Sequence, residues 1–135
     1  MLRRKHMSNK NRFYICKKCG KIIEMVQNTQ IDTVCCGQVM EILKSGTIDA
    51  SHEKHVPVVK QIDNEIVEIQ VGTVNHPMTE EHSILWICLE TDKGIYRKNL
   101  RINSIPGAVF KITSNEHIVS VYAYCNLHGL WSANI

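Results

Sequence analysis

Apolar and polar residues alternate along most of this chain, and no segment keeps a convincing helical period. Val67, Ile69 and Val71 take every second position with Glu68 and Gln70 between them, the pattern of a strand with one buried face. Residues 84–90 form a fuller apolar run that ends at Thr91-Asp92-Lys93-Gly94, a turn signal, and 95–100 reads as the return strand. Ser104-Ile105-Pro106-Gly107 breaks the chain before a strand at 108–112, and 118–124 is rich in β-branched and aromatic residues. Nearer the start, 13–15, 21–26 and 39–43 are short strand candidates. The one helical turn expected is at Thr79-Glu80-Glu81. Strands recurring at roughly 8–12-residue spacing predict an antiparallel β-sandwich for the longer, later part of the chain.

The earlier part is different in kind. Residues 13–43 hold four cysteines among short strand candidates. A unit of fewer than about 40 residues rarely folds without a disulfide or a metal. Lys44-Ser45-Gly46-Thr47 reads as a linker, so the expected organisation is two domains, 8–44 and 48–135. The opening seven residues are basic and polar, and Met7 is a plausible start; they are read as an extension outside the fold.

Composition narrows the function classes. With 44% hydrophobic and 21% charged residues the chain has the make-up of an ordinary globular protein. Its longest apolar run, 84–89, is strand-sized, so no membrane association is expected. A formal charge of +3 is too small to argue for nucleic acid, though it suits attraction of small anions. Six cysteines without an apolar leader point to the cytoplasm, where close-spaced thiols serve as metal ligands or redox groups.

Cys16-Lys17-Lys18-Cys19 and the adjacent Cys35-Cys36 give the spacing C-x2-C-x15-C-C. Paired thiolates at both ends of a loop supply four sulfurs to a tetrahedral ion, zinc or iron. Gly20 and Gly37 follow the two pairs, where a tight turn around a metal needs a residue free to take positive φ. Adjacent ligands should strain the sulfur–metal–sulfur angles, which sets the pair apart from ordinary zinc knuckles. The spacing leaves the metal open.

A second donor set centres on Cys125-Asn126-Leu127-His128, a thiol and an imidazole three residues apart that can meet one ion from a turn. Its candidate partners are His55, His76 and His82, each in a loop of the expected sandwich. Four imidazoles and one thiolate leave a sixth position open, which suits a reactive centre better than a structural one. Ferrous iron in that set carries about one net positive charge, and Lys54 adds another. A small anion would be drawn there, and an ionised thiolate would push electron density toward whatever binds opposite. His6, His52 and His117 are read as ordinary histidines and Cys88 as a core residue.

These motifs together resemble the two-iron superoxide reductases of the desulfoferrodoxin type, across nearly the whole of 13–135. Cys16-x-x-Cys19-Gly20 with Cys35-Cys36-Gly37 is similar to desulforedoxin. The remainder carries Glu53-Lys54-His55-Val56-Pro57, Asn75-His76-Pro77-Met78 through His82, and Cys125-Asn126-Leu127-His128-Gly129-Leu130-Trp131. The resemblance implies an all-β fold: a small desulforedoxin-like domain, then an immunoglobulin-like sandwich. It implies two irons, one held by Cys16, Cys19, Cys35 and Cys36, the other by His55, His76, His82 and His128 with Cys125 axial. The implied reaction is one-electron reduction of superoxide to hydrogen peroxide without dioxygen release, in oxidative-stress detoxification. Lys54 is implied to attract superoxide and order a proton-donating water, and Glu53 to take the sixth position in the oxidised resting state. A rubredoxin-like electron donor and a homodimer are also implied, with no nucleic acid or membrane partner.

Two other readings compete. A blue-copper carrier would use Cys125-x-x-His128 with one upstream histidine, yet Gly129-Leu130-Trp131 follows where a methionine is usual. A zinc-ribbon module touching nucleic acid through Lys17, Lys18 and Lys21 ignores the five donors of the second set.

Overall fold

The computed structural model describes residues 12–46 and 52–135. The expected N-terminal extension, with His6, and the last linker residue, Thr47, lie outside those residues. The backbone divides into two compact units, one formed by Asn9–Lys44 and the other chiefly by Ser45–Ile135. Among the described residues no helix is long and apolar enough to cross a membrane.

The smaller unit is built from five short strands. β1 (Phe13–Ile15) lies between β2 (Ile22–Glu24) and β5 (Glu41–Ile42) in one antiparallel sheet. A separate hairpin pairs β3 (Val34–Cys35) with β4 (Gln38–Val39). The single strand expected at 39–43 is thus two, split at Met40, whose side chain is buried and whose amide bonds the Thr33 carbonyl. Among the described residues, Phe13, Cys16 and Met40 are the unit's buried side chains. Three such residues make too small a core for folding by apolar burial alone.

Among its described residues the larger unit has a four-residue helix, α1 (His52–His55), and then seven strands. They are β6 (Pro57–Gln61), β7 (Ile66–Val71), β8 (Ile84–Thr91), β9 (Ile95–Asn99), β10 (Gly107–Lys111), β11 (Ile118–Cys125) and β12 (Gly129–Asn134). Two antiparallel sheets, ordered β10-β7-β6 and β12-β11-β8-β9, make the immunoglobulin-like sandwich. Val67, Ile69 and Val71 of β7, Ile87 and Leu89 of β8, and Val121 and Ala123 of β11 form its core with Phe110 and Ile112. Each valine, leucine, isoleucine or phenylalanine so buried stabilises the fold by about 1.5–3 kcal/mol relative to exposure.

Two local readings differ from expectation. The helical turn falls at 52–55, not at 79–81, where the chain only bends. β6 and β12 were not expected, because one begins at a proline and ends in Lys60-Gln61 and the other carries Gly129, Ser132 and Asn134. Cys88 is buried as expected of a core residue, on the face of β8 opposite Ile87 and Leu89.

The ladder between β8 and β11 carries a bulge where it matters. Tyr124 pairs with Trp86 but Cys125 pairs with Ile84, so Leu85 is the extra residue. Bulges re-aim side chains beside functional sites. Here the skipped position leaves both Ile84 and Cys125 facing inward at the end of the sandwich.

At the other end of β8 a buried carboxylate ties three segments together. Glu116 accepts bonds from the hydroxyls of Thr91, Tyr96 (2.6 Å) and Thr113 (3.0 Å) and from the Thr113 amide (3.0 Å). Those donors, led by Thr91, pull its pKa down to about 2. A carboxylate held below its unfolded value stabilises the fold above that value, near 4.5, and the contribution fades as pH falls toward 2. Glu116→Gln is therefore expected to cost about 1.5–3 kcal/mol at neutral pH, the worth of bonds to a charged group. Denaturant titrations at pH 7 and pH 3 should show the gap between parent and variant narrowing in acid.

Candidate metal centres

The four cysteines of the smaller unit converge. Cys16 leaves β1, Cys19 closes the turn after it, and Cys35 and Cys36 sit at the tip of the β3–β4 hairpin. Gly20 bonds back to the Cys16 carbonyl at 2.8 Å, and Gly20 and Gly37 take φ of +81° and +72°, the conformations expected of them. The strain expected of adjacent ligands is met in the backbone: Cys36 itself adopts φ +53°. In a strand, neighbouring side chains point to opposite faces; the left-handed residue swings the Cys36 thiol back beside that of Cys35. That conformation costs about 1–2 kcal/mol for a residue with a Cβ.

All four sulfurs lie within 4.8 Å of one another. Cys19 and Cys35 are 3.8 Å apart and Cys35 and Cys36 3.9 Å, far beyond a disulfide bond. A tetrahedron with metal–sulfur bonds of about 2.3 Å has edges of about 3.8 Å. The backbone N–H of Cys19 leads in pulling the Cys16 thiol down to about 7, while sharing with the Cys19 thiol leads in pushing Cys36 up to about 12. Four thiols this close cannot all ionise without a cation among them.

The second centre sits at the bulged end of the sandwich, and three separate segments supply it. His55 ends α1, His76 and His82 lie in the β7–β8 connection, and Cys125 and His128 bracket the β11–β12 turn. Their donor atoms all lie within 4.8 Å of one another, with His55, His76 and Cys125 buried. Neighbouring rings in the order His76, His55, His128, His82 have centroids 4.5 to 5.0 Å apart, and His55 faces His82 across the ring at 6.3 Å. The four imidazoles thus form a square. His55 Nε2 is 3.1 Å from both His76 Nε2 and His128 Nδ1, and metal–nitrogen bonds of about 2.1 Å put square corners about 3.0 Å apart. The Cys125 sulfur lies 3.8 Å from His128 Nδ1.

Local bonds aim these groups. His76 Nδ1 donates to the Pro77 carbonyl at 2.7 Å, which leaves its Nε2 lone pair for the centre. His82 Nε2 is buried with no hydrogen-bond partner, an orphaned atom whose need a metal ion meets. Burial, reinforced by the other imidazoles, pushes His76 down to about 4, and the same causes lower His82. The Lys54 ammonium adds to the push on His82, so its charge is felt at the centre. Burial raises the Cys125 thiol, partly offset by the N–H groups of His128 and Leu127 that face the sulfur. Neutral imidazoles are ready ligands, and the buried thiol needs a cation to ionise.

α1 is docked from behind. The Glu53 carbonyl accepts the Val74 amide at 3.0 Å and the Thr73 hydroxyl at 3.3 Å, and the Gly72 amide bonds the Val56 carbonyl at 3.0 Å. Glu53 and Lys54 are exposed on α1 beside buried His55. Trp131 supports the square from outside the donor set, a role that its place after Gly129-Leu130 does not announce. Its indole N–H holds the His128 carbonyl at 3.0 Å while its ring packs 5.0 Å from that of His55. His52 lies edge-on to Trp131 outside the donor set, and His117 pairs with Asp92 at 3.0 Å, so both are ordinary histidines here.

Four imidazoles around the thiol, instead of two, do not fit a blue-copper site, and a zinc-ribbon module leaves this second donor set without a use. The chain belongs to the desulfoferrodoxin family: residues 47–134 match the family Desulfoferrodoxin. It is 41% identical to the desulfoferrodoxin of Syntrophotalea carbinolica over 94% of this chain and 98% of that one. The identity to the desulfoferrodoxin of Nitratidesulfovibrio vulgaris is 42%, over the same shares. Of solved structures, the superoxide reductase from Treponema pallidum matches with a TM-score of 0.75 and 36% identity, over 90% of this chain and 98% of that one. The cofactor of this family is iron, two per chain, and the two donor sets fit one each.

Gly72 gives a direct test of how α1 is held. A Cβ there would lie 2.5 Å from the Val74 carbonyl oxygen and 2.6 Å from that of Glu53, at φ +83°. Gly72→Ala should force α1 away and weaken iron binding by the His55 set by about tenfold or more. Absorption and metal analysis of the variant should show the four-cysteine site filled as in the parent and the second site depleted.

Proposed function

We propose that this chain is a superoxide reductase: superoxide, one electron and two protons give hydrogen peroxide, and no dioxygen is released. Membership of its family makes it an oxidoreductase. The observation that carries the finer reading is the square of imidazoles with a buried thiol beside it and an ammonium acting on it from α1. We assign His55, His76, His82, His128 and Cys125 to the reactive iron and Cys16, Cys19, Cys35 and Cys36 to the other. The domains proposed are 8–44 and 48–135.

Iron held by the His4Cys set would supply the electron, and the thiolate of Cys125 would make it a stronger reductant. The protein's part is to gather, orient and protonate. Lys54 draws the anion toward the centre and orders water that brings the protons. Glu53, its neighbour on α1, would be the carboxylate that occupies the centre in the oxidised resting state and withdraws on reduction. The packed core around Cys125 keeps the thiol side dry, which preserves the strength of every charge interaction there.

Electrons would come from a rubredoxin-like carrier. Exposed Cys19 and Cys36 make the four-cysteine iron accessible to such a carrier. A homodimer in the cytoplasm, with a role in oxidative-stress detoxification, completes the reading; two donor sets that need intact thiols suit a reducing compartment.

Mixing the reduced protein with a known pulse of superoxide tests the reaction. One peroxide per superoxide, without dioxygen, is expected; dioxygen release would mean dismutation instead. Lys54→Ala should slow the second-order step by about threefold to a hundredfold with iron content unchanged. Added salt should slow the parent more than the variant, because screening weakens steering by a charge the variant lacks. Equal rates and salt slopes would return Lys54 to an ordinary exposed charge.

A further inference from the structure

His82 is the ring least anchored by its own bonds. Its Nε2 makes none, so the aim of the ring is inherited from its backbone. On the N-terminal side the Thr79 hydroxyl accepts the His82 amide at 3.1 Å, and the Thr79 amide donates to the His82 carbonyl at 2.9 Å. Those bonds close a local loop, but they do not fix it against the rest of the centre. A residue from the opposite turn does that. Asn126 Nδ2 donates to the Glu81 carbonyl at 2.9 Å, and Asn126 Oδ1 accepts the Ser83 amide at 3.0 Å. The Asn126 backbone N–H reaches the Ser83 carbonyl at 3.2 Å. One residue, next to Cys125, therefore grips the chain on both sides of His82.

We propose that Asn126 is a positioning residue of the reactive centre, setting the placement of the His82 ring relative to the Cys125–His128 turn. This rests on the assignment of those residues to the reactive iron. The fold explains why a side chain is used. The β8–β11 ladder is bulged between Tyr124 and Cys125, and β11 ends at Cys125, so its strand pairing stops one residue short of Asn126. A carboxamide carries one acceptor and a donor group, the same equipment as a peptide unit. Asn126 thus adds a rung beyond the last regular pair, one bond made by its own N–H and the return bond by its side chain, and the rung clasps a ligand-bearing loop. Aspartate offers the acceptor without the donor, and alanine offers neither. Because His82 faces His55 across the square, any drift of 81–83 changes a diagonal of the ligand set and not merely one corner.

The experiment uses the full chain loaded with iron at both sites, as parent, Asn126→Ala and Asn126→Asp. The four-cysteine site serves as an internal reference in each molecule. The expected result for Asn126→Ala is a shifted thiolate-to-iron absorption band at the second site and loss of that iron to a chelator about tenfold faster or more, with the four-cysteine spectrum unchanged. In the apo protein the Ser83 amide should exchange faster in Asn126→Ala and stay protected in Asn126→Asp, which keeps that acceptor. Asn126→Asp should lose the second iron at a rate between parent and Asn126→Ala. Should Asn126→Ala fail to fold, Asn126→Asp decides alone: iron loss faster than the parent's supports the role, and a parent-like rate overturns it. A folded Asn126→Ala with the parent's band and chelation rate would overturn it as well, leaving Asn126 a purely structural link. A parent that took up no second iron would overturn the proposed function and this inference with it, a result separable from parent-like behaviour of the variants.

Discussion

Lone pairs crowded into a buried pocket set the terms for this end of the sandwich. Imidazole nitrogens of His55, His76 and His128 approach within 3.1 Å, and that of His82 is buried without a partner. Each buried polar atom left unsatisfied costs about 1–3 kcal/mol, and lone pairs turned on one another add repulsion. Only a cation among them answers all of these costs at once. The rest of the site follows from making that arrangement rigid before the ion arrives: a core that fixes β7, β8 and β11, a bulge that turns Cys125 inward, and a docked helix that presents His55.

The two centres relate to their surroundings in opposite ways. The sandwich has a core of its own, so its ligands are carried on loops of an already stable frame. The smaller unit buries few apolar side chains and spends backbone energy at Cys36 to bring adjacent thiols together. There the ion is part of what makes the fold favourable, and binding energy is folding energy.

Much of this was legible in the sequence because it rests on spacing. Strands with alternating or β-branched residues, such as β7 and β11, declare their buried face, and C-x2-C, C-C and C-x2-H declare donors that share a turn. The sandwich class followed from strand recurrence, and the grouping of the histidines from their place in loops. What escaped was held by bonds to the backbone. α1 has too few residues to show a period and exists because Val74, Thr73 and Gly72 hold it. β6 and β12 carry polar and small residues that become strands by pairing with β7 and β11. Asn126 acts on a carbonyl and an amide distant in sequence, and Trp131 packs on the equally distant ring of His55; residue type alone does not reveal these partners.

The two kinds of ring nitrogen at the square have a consequence for chemical mimicry. His55 and His76 reach the centre with Nε2, the far atom of the ring, whereas His128 uses Nδ1, the near one. Nδ1 lies about as far from the backbone as the terminal atoms of asparagine, and Nε2 about as far as those of glutamine. The short arm is what lets a thiol and an imidazole from a single tight turn meet one point. A side chain with the longer arm at 128 would overshoot that point, while the shorter one at 55 or 76 would fall short of it. The ligand positions are therefore not interchangeable: each histidine has a reach matched to its distance from the centre, and the chain encodes that reach in how tightly the backbone turns beneath it.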